Sequence, residues 1–394
     1  ALIDSNFVAG TFIAGSPDCL WSGTNLFILI QESATLAKLY KYTYNSGTQT
    51  YSLVSGFPVS LPLIGVGTSG SGKIYANLAF DQDSTGKLWA TYTGSGLGGD
   101  GRVRVIYSTS ADHRTWDTNG FVLASGISTL NTEGSTIVRF GGNKIGVAWS
   151  NLITSEDAFR FHTDGAAATT WGTKETIDSG LGPQGTGSVA GKQMTMRAAP
   201  DGRIFLVGDD NDGLNNHLHL YIRTTAGVWG TKTLVVNNFN AMPAKPVLLL
   251  DTDNNNVHVI YKDSALGSNG LSGQTFITQA SMNGPAFNTP CLFINTSDST
   301  LTTSNPTGTK QNLNATTDLM AAASTGRRGN EILVNVVDLT PNALTVFSIS
   351  PKQVTAGESS FTLTVNGKLF VKTPSPGSLV KISGSSSTSS YINA

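Results

Sequence analysis

The sequence repeats one pattern at intervals of roughly 60 residues, and this repetition restricts the available folds more than any other feature. Six segments share a Gly-, Asp- or Asn-rich turn, about seven mostly apolar residues and a polar end. Their starts lie 62, 57, 59, 53 and 75 residues apart. Near-continuous apolar runs of this length are typical of strands that are covered on both faces. The six segments are residues 25–32, 87–93, 144–151, 203–210, 256–263 and 331–338.

A second series of alternating strands follows the first, and we interpret the two series as the second and third strands of a repeated sheet. Five strands of the second series precede a turn and an aromatic residue: Tyr51, Trp116, Trp171, Trp229 and Phe287. A four-stranded sheet of this size cannot bury both faces alone, so six sheets must stack radially. The sequence therefore predicts an all-β, six-bladed β-propeller over residues 14–350. The second series is residues 37–44, 103–110, 158–164, 218–225, 274–281 and 343–350.

The sixth unit lacks a recognisable outer strand, while the N-terminal residues 1–13 include a strand pattern without a unit of its own. We expect this N-terminal strand to complete the sixth blade and close the ring, with Phe7 or Phe12 near residues 343–350. Closure would also remove two exposed sheet edges. The same assignment places Cys19 on an inner strand of the first unit and Cys291 on an outer strand of the fifth, as unpaired thiols.

Composition excludes several classes of partner. Charged residues make up 13% of the chain and the formal net charge is −1, so no general attraction to nucleic acid is expected. No apolar run approaches the roughly 20 residues of a membrane-spanning helix, so direct membrane insertion is not expected either. Ala1 is consistent with a removed signal peptide and an extracellular or cell-surface protein, or with a trimmed initiator Met and a virion protein.

One turn carries a resemblance to a known family. Residues Ser110, Asp112, Thr115 and Trp116 follow the order of a degenerate Asp-box, with the spacing one residue short and Arg114 near the usual Gly. The blade pattern over residues 14–350 resembles sialidase-type propellers, in which this motif is structural. Sialidases also carry an Arg-Ile-Pro element, which this sequence lacks, so the resemblance implies the fold and does not imply sialidase activity.

The chain changes character after Ser350. Ser350-Pro351, a turn at Gly357, the alternating strand 361–365 and the turn at Asn366 resemble the start of IPT/TIG immunoglobulin-like domains. Residues 351–394 correspond to about half of such a domain, so we expect an incomplete immunoglobulin-like module after the propeller.

Charged and polar residues recur where inner strands begin and second strands end, which is one face of a propeller. Mixed signs there suit a neutral or modestly acidic sugar, although charges also accumulate at solvated strand ends without any function. The predicted ligand-binding face consists of Asp18, Glu32, Lys73, Tyr92, Glu133, Asn151, Lys192, Lys245, Lys262, Asp263, Asp318 and Asp338.

Two kinds of chemistry are open at this face. A glycosidase needs two carboxylates about 5–10 Å apart, and Glu133 with Asp209 or Asp210 could supply them from neighbouring units. Asp209, Asp210 and Asp212 also cluster hard oxygen ligands in one loop, as in a calcium site or an Asx-rich turn. No cofactor is expected other than this candidate structural Ca²⁺.

The leading hypothesis is a binding or structural head of a secreted or surface-displayed protein, such as an adhesin, recognising carbohydrate or a surface protein within a larger assembly. No catalytic set of residues stands out, and the loops at strand ends are rich in Gly and Ser. A glycoside hydrolase or polysaccharide lyase using the same face is the first alternative. A phage or virion fibre component is the second.

Overall fold

The chain is seen in a computed structural model, in which every element is a strand or a turn and no helix occurs among the described residues. Among those residues no helix is therefore available to cross a bilayer. The described residues are 18–31, 36–63, 74–95, 101–117, 120–127, 134–151, 153–179, 193–211, 216–238, 244–263, 274–294, 303–314, 316–325, 332–337, 339, 345–350, 364–368, 379–382 and 390–393.

Five antiparallel sheets follow one another along the chain and form blades 1 to 5 of a six-bladed β-propeller. In blade 1 the outer position is shared by β4 and β5, which both pair with β3. The strands are β1 (Asp18–Trp21), β2 (Asn25–Gln31), β3 (Leu36–Asn45), β4 (Thr50–Leu53) and β5 (Val59–Pro62) in blade 1; β6 (Ile74–Gln82), β7 (Leu88–Ser95), β8 (Gly101–Tyr107) and β9 (Phe121–Ile127) in blade 2; β10 (Ser135–Phe140), β11 (Lys144–Asn151), β12 (Glu156–Thr163) and β13 (Glu175–Ser179) in blade 3; β14 (Met194–Ala198), β15 (Ile204–Asn211), β16 (Asn216–Arg223) and β17 (Thr233–Asn238) in blade 4; β18 (Ala244–Asp251), β19 (Asn256–Asp263), β20 (Gln274–Ser281) and β21 (Cys291–Ile294) in blade 5.

The first strand of each blade lies innermost, because first strands of successive blades pack against one another. Tight hairpins connect them to the second strands. Between β14 and β15, for example, Gly202 adopts φ +92° and donates its N–H to the carbonyl of Ala199. We call the end of the propeller where first strands begin the channel face, and the end with these hairpins the hairpin face.

Apolar residues fill the space between blades in five clusters, one for each neighbouring pair from blades 1 and 2 to blades 5 and 6. Second strands are covered on both sides, as their apolar runs predicted: Val147 and Ala148 of β11 are fully buried. Trp116, Trp171 and Trp229 each pack against the preceding blade. Their recurrence therefore reflects packing between blades.

Blade 6 differs from its predicted strand assignment. Its strands are β22 (Thr303–Gly308), β23 (Leu319–Thr325) and β24 (Ile332–Val337), with β23 in the centre. Residues 331–338 thus supply the third strand, whereas the sequence pattern had indicated the second. Residues 343–350 contribute β25 (Thr345–Ser350), which pairs with β26 (Thr364–Lys368) outside the blade instead of forming a third strand.

The two cysteines agree with their predicted positions. Cys19 lies on β1 and Cys291 on β21, and both thiols are free. The N-terminal closing strand lies outside the described residues, as do Phe7 and Phe12. Of residues 351–394, backbone is described for β26, β27 (Leu379–Ile382) and β28 (Ser390–Asn393), and the last two form a two-stranded sheet.

Candidate functional site at the propeller channel

Several residues of the predicted ligand-binding face lie outside the described part of the chain: Glu32, Lys73, Glu133, Lys192 and Asp338, together with Asp212 of the candidate calcium loop. Lys245, Lys262 and Asp263 are found at the expected ends of first and second strands. Asp18 begins the four-residue strand β1, but its bonds to Phe80 and Lys310 place it near the hairpin face. Asn151 ends β11, and its Oδ1 accepts the N–H of Ile153 at 3.0 Å. This residue therefore caps a turn at the channel face.

Two other predicted face residues also lie away from the channel face. The Tyr92 side chain is completely buried in the cluster between blades 1 and 2, because its position on β7 points it into the layer between blades. Asp318 precedes β23 at the hairpin face, where its Oδ1 accepts the N–H of Leu339 at 3.2 Å. This second error follows from the shifted strand assignment in blade 6.

Carboxylates of two successive first strands tie each blade to the next. Asp18 Oδ2 accepts the N–H of Phe80 in blade 2 at 2.9 Å, and Asp81 Oδ2 accepts the N–H of Arg139 in blade 3 at 2.8 Å. The bonded residues are 62 and 58 positions apart, close to the repeat interval. Asp81 Oδ1 also accepts the N–H of Gln82 at 2.8 Å. Both carboxylates are therefore used in structural contacts between blades.

Two cations from distant blades balance these carboxylates. Lys310 pairs with Asp18, donates to the carbonyl of Phe80 and lies 5.1 Å from the centre of the Phe80 ring. Arg197, only 7% exposed, donates from Nη1 to the carbonyl of Met196 and from Nη2 to that of Thr309. Burial raises the pKa of Asp81, and the charge of Lys310 opposes that rise. Burial lowers the pKa of Arg197, whereas Asp18 and Asp81 raise it.

Residues 309–313, which we call the crossing segment, run across the hairpin end of the channel. They belong to the loop between β22 and β23 in blade 6, yet they contact the first strands of four other blades. Gln311 Nε2 donates to the carbonyl of Trp21 in blade 1 at 2.7 Å. Asn312 Nδ2 donates to the carbonyl of Ala198 in blade 4 at 3.0 Å. Lys310 reaches Phe80 in blade 2.

Leu313 fixes the far end of the crossing segment on blade 5. Its N–H donates to the carbonyl of Leu250 at 2.7 Å, and its carbonyl accepts the N–H of Thr252 at 3.0 Å. The Leu313 side chain is almost fully buried. The crossing segment is therefore hydrogen-bonded to blades 1, 2, 4 and 5 at the hairpin face.

Two lysines of blade 5 lie close together at the channel face. Lys262, the last but one residue of β19, is paired with Ala244 at the start of β18, and Lys245 follows Ala244 in a bulge with φ +55°. Non-glycine residues rarely adopt this left-handed conformation, and they often do so at functional sites. Burial lowers the pKa of Lys245, and the neighbouring charge of Lys262 lowers it further.

The candidate calcium ligands are only partly described. Asp209 Oδ1 accepts the N–H of Gln193 at 3.0 Å, so one carboxylate oxygen already takes part in a contact between strands. Asp210 follows it on β15, opposite His217. Within the described residues no group of three or more His, Cys, Asp or Glu side chains is arranged to hold a metal ion.

Sequence reasoning missed the charged residues at the base of the channel. Asp81, Arg197 and Lys310 were not selected, because each one's contacts lie in other blades. Asp18 is the first residue of β1, whereas Asp81 is the last but one of β6. The two carboxylates therefore occupy different positions in their repeats, and the repeat pattern did not mark them.

The fold and site together define a six-bladed β-propeller whose channel is crossed at one end by residues 309–313. No family model and no curated protein matches the chain. Among solved structures, it is similar to a protein of unknown function from Dyadobacter fermentans DSM 18053 (9% identity, TM-score 0.47, 82% of this chain and 94% of that one). It is also similar to an α-L-arabinanase from Penicillium chrysogenum complexed with arabinobiose (13%, TM-score 0.42, 75% and 88%).

A third similar structure is a xylan β-1,4-xylosidase from Bacillus halodurans C-125, at 12% identity and a TM-score of 0.41. The match covers 70% of this chain and 54% of the xylosidase, so this chain spans about half of that protein's length.

Proposed function

We propose that this chain is a glycan-binding head that takes its ligand at the channel face. The observation that carries the proposal is the use of the described channel carboxylates in structural contacts. Asp18 and Asp81 accept backbone N–H groups of the next blade and are balanced by Lys310 and Arg197. A glycosidase needs a carboxylate pair that is free to exchange protons with substrate, and these two do not fit that role.

The crossing segment supports ligand entry from the channel face, because it occupies the hairpin end of the channel. Among the described residues, the polar groups at the channel face are of mixed sign: Asp209, Asp263, Lys245, Lys262 and the Asn151 amide. Such a surface suits a ligand that is read mainly through hydrogen bonds to hydroxyl groups, as glycans are.

The finer features predicted from the sequence belong to this proposal. In a secreted or surface-displayed adhesin, the propeller would be the recognition head, and the IPT/TIG-like residues 351–394 would begin a spacer. The turn containing Asp112 supports a sialidase-like blade, because Asp112 Oδ1 accepts the N–H of Arg114 at 3.1 Å and Trp116 packs on the preceding blade. His113 takes φ +68°, near the place where an Asp-box has glycine.

A carbohydrate-active enzyme, either a glycoside hydrolase or a polysaccharide lyase, is the second candidate. Because Asp18 and Asp81 are used in structural contacts, such an enzyme would take its acids from other carboxylates of the propeller. Asp209 and Asp210 of β15 are candidate acids for either activity, together with Glu133, which lies outside the described residues.

Incubation with a panel of neutral and acidic polysaccharides separates the two candidates. For a binding head, we expect immobilised protein to retain at least one polymer while mass spectrometry shows no new oligosaccharides. Products heavier by one water would establish a hydrolase, and unsaturated ends would establish a lyase. Retention of no polymer, with no products, would reject glycan recognition altogether.

A further inference from the structure

At the channel face, the boundary between blades 5 and 6 carries Lys245 and Lys262 on the same blade as Thr275, whose buried hydroxyl meets that of Thr303, and we call this boundary the groove. We propose that this groove binds the carboxylate of an acidic, uronate-containing glycan through Lys245 and Lys262. The inference rests on the proposed glycan-binding function and names the class of ligand for it.

One direct contact fixes the position of the groove. Thr275 Oγ1 of β20 and Thr303 Oγ1 of β22 lie 2.9 Å apart, and both side chains are buried. This side of blade 5 therefore faces blade 6. Lys262 is directly opposite Thr275 in the pairing of β19 with β20. Because paired residues in adjacent strands project to the same side of a sheet, Lys262 projects toward blade 6 as well.

Lys245 lies on β18, the first strand of the same blade, close in register to Lys262. Lys262 is opposite Ala244, and the next matched pair is Val247 with Ile260, so β18 holds one extra residue in the bulge that contains Lys245. Bulges change the direction of a side chain without ending the strand. Lys245 is half-buried, and the charge of Lys262 acts on it and lowers its pKa. The two lysines therefore stand on neighbouring strands, at the start of β18 and near the end of β19.

The lysines have no carboxylate partner in the part of the chain that the structure describes. Asp263 follows Lys262 directly, so its side chain points to the other side of β19. Asp209 accepts the N–H of Gln193. Two adjacent ammonium groups without a counterion repel each other, and an incoming anion relieves that repulsion while accepting charge-assisted hydrogen bonds.

A carboxylate suits this groove better than a neutral hydroxyl, because it can accept from both ammonium groups at once. Partial burial of Lys245 strengthens the attraction, since charge interactions grow as water is excluded. In a glycan, a uronate residue supplies such a carboxylate next to hydroxyl groups that the channel-face polar groups can bind.

The test uses polygalacturonate, alginate and hyaluronan, each with its carboxyl-reduced counterpart, and the full chain immobilised on a biosensor. Reduction replaces each carboxylate by a hydroxymethyl group and leaves the sugar rings in place. We expect at least one acidic polymer to bind about tenfold more tightly than its reduced form, as loss of a charged hydrogen bond implies. Rising salt concentration should weaken only the binding of the acidic form.

Substitutions test whether Lys245 and Lys262 cause the tighter binding of the acidic polymer. Lys245→Met and Lys262→Met should each reduce affinity for the acidic polymer about tenfold, whereas Lys262→Arg should retain most of it. Lys232→Met is the matched control: it removes one positive charge from blade 4, where Lys232 pairs with Asp178, and it should leave binding unchanged. Thermal melting of each variant checks that the fold is intact.

The outcomes separate this inference from the proposed function. Equal binding of acidic and reduced polymers, or full affinity in both Met variants, would overturn the groove assignment and leave glycan binding in place. Binding of neutral polysaccharides alone would do the same. If no polysaccharide of either kind is retained, the glycan-binding function itself fails.

Discussion

Trp171 and Trp229 occupy the same position in blades 3 and 4, and the structure predicts different effects for their removal. Trp171 is 8% exposed and packs against Trp89 and Phe121 of blade 2. Trp171→Ala should lower the free energy of unfolding by about 3–5 kcal/mol. Trp229 is half-buried and donates its indole N–H to Glu175, so Trp229→Ala should cost less. Equal losses in chemical denaturation would contradict this ranking.

Cys19 should react slowly although its side chain is accessible to solvent. Neighbouring groups exclude part of the water around the sulfur, and this desolvation together with the charge of Asp18 raises the pKa of the thiol to about 11. At pH 8 about one thiol in a thousand is then ionised, against about a quarter for an ordinary cysteine. Iodoacetamide should modify Cys19 at least about 100-fold more slowly than a cysteine peptide, as followed by peptide mass spectrometry. Modification at the peptide's rate would show that the thiol is freely solvated.

Single residues also show where sequence reasoning ends. The aromatic positions could be predicted, because inter-blade packing repeats with the blades. The burial of Tyr92 could not be predicted, since the side of the sheet on which its side chain lies depends on the register of β7 between the neighbouring blades. The partners of Asp18 were equally hidden: Lys310 lies in another blade, and no local pattern connects the two.

At the scale of elements, we expect removal of Lys310 from the crossing segment to cause a loss of stability that depends on pH. Lys310→Met leaves Asp18 and Asp81 with less compensating charge in a mostly buried site. The variant should lose about 3 kcal/mol of unfolding free energy at pH 7, as removal of one partner of a buried pair usually does. Exposed Lys232→Met should lose less than about 1 kcal/mol, because surface pairs contribute little.

The sign of the pH effect follows from the protonation of Asp81. Without Lys310, the folded-state pKa of Asp81 rises further above its unfolded value, so the folded variant binds more protons than its unfolded chain in that interval. The stability difference between wild type and variant should therefore shrink as pH falls from about 7 toward about 4. Urea denaturation at several pH values measures this difference, and a constant difference would show that protonation of Asp81 does not depend on Lys310.

Blade 6 shows why an element can be misassigned from sequence. Its central strand β23 contains three consecutive alanines, so it has fewer large apolar residues than the second strands of blades 1 to 5. The run at residues 331–338 resembles those strands more closely, although Ile332, Val334 and Val336 of β24 are exposed on one side. Small alanine side chains fill buried positions of β23. The large apolar residues at 331–338 therefore led to the wrong assignment of the second strand.

At the scale of the whole molecule, the predicted closure by residues 1–13 can be tested through this exposed side of β24. Deleting residues 1–13 should lower the melting temperature by several degrees. If the N-terminal strand covers β24, Val334→Ala should destabilise the full chain and have little effect in the truncated one, a coupling that a double-mutant cycle measures. Equal effects of Val334→Ala in both backgrounds would reject closure at this strand.

The crossing segment also sets an order of events during synthesis on the ribosome. Gln311 meets Trp21 across 290 residues of sequence, so blades 1 and 2 emerge long before the residues that complete their ends of the channel. Until then Asp18 lacks its lysine and the hairpin end of the ring stays open to water. Folding that awaits such distant contacts is slow and leaves partly assembled chains exposed to aggregation. We therefore expect the folding of blade 6 to be the step that completes the ring.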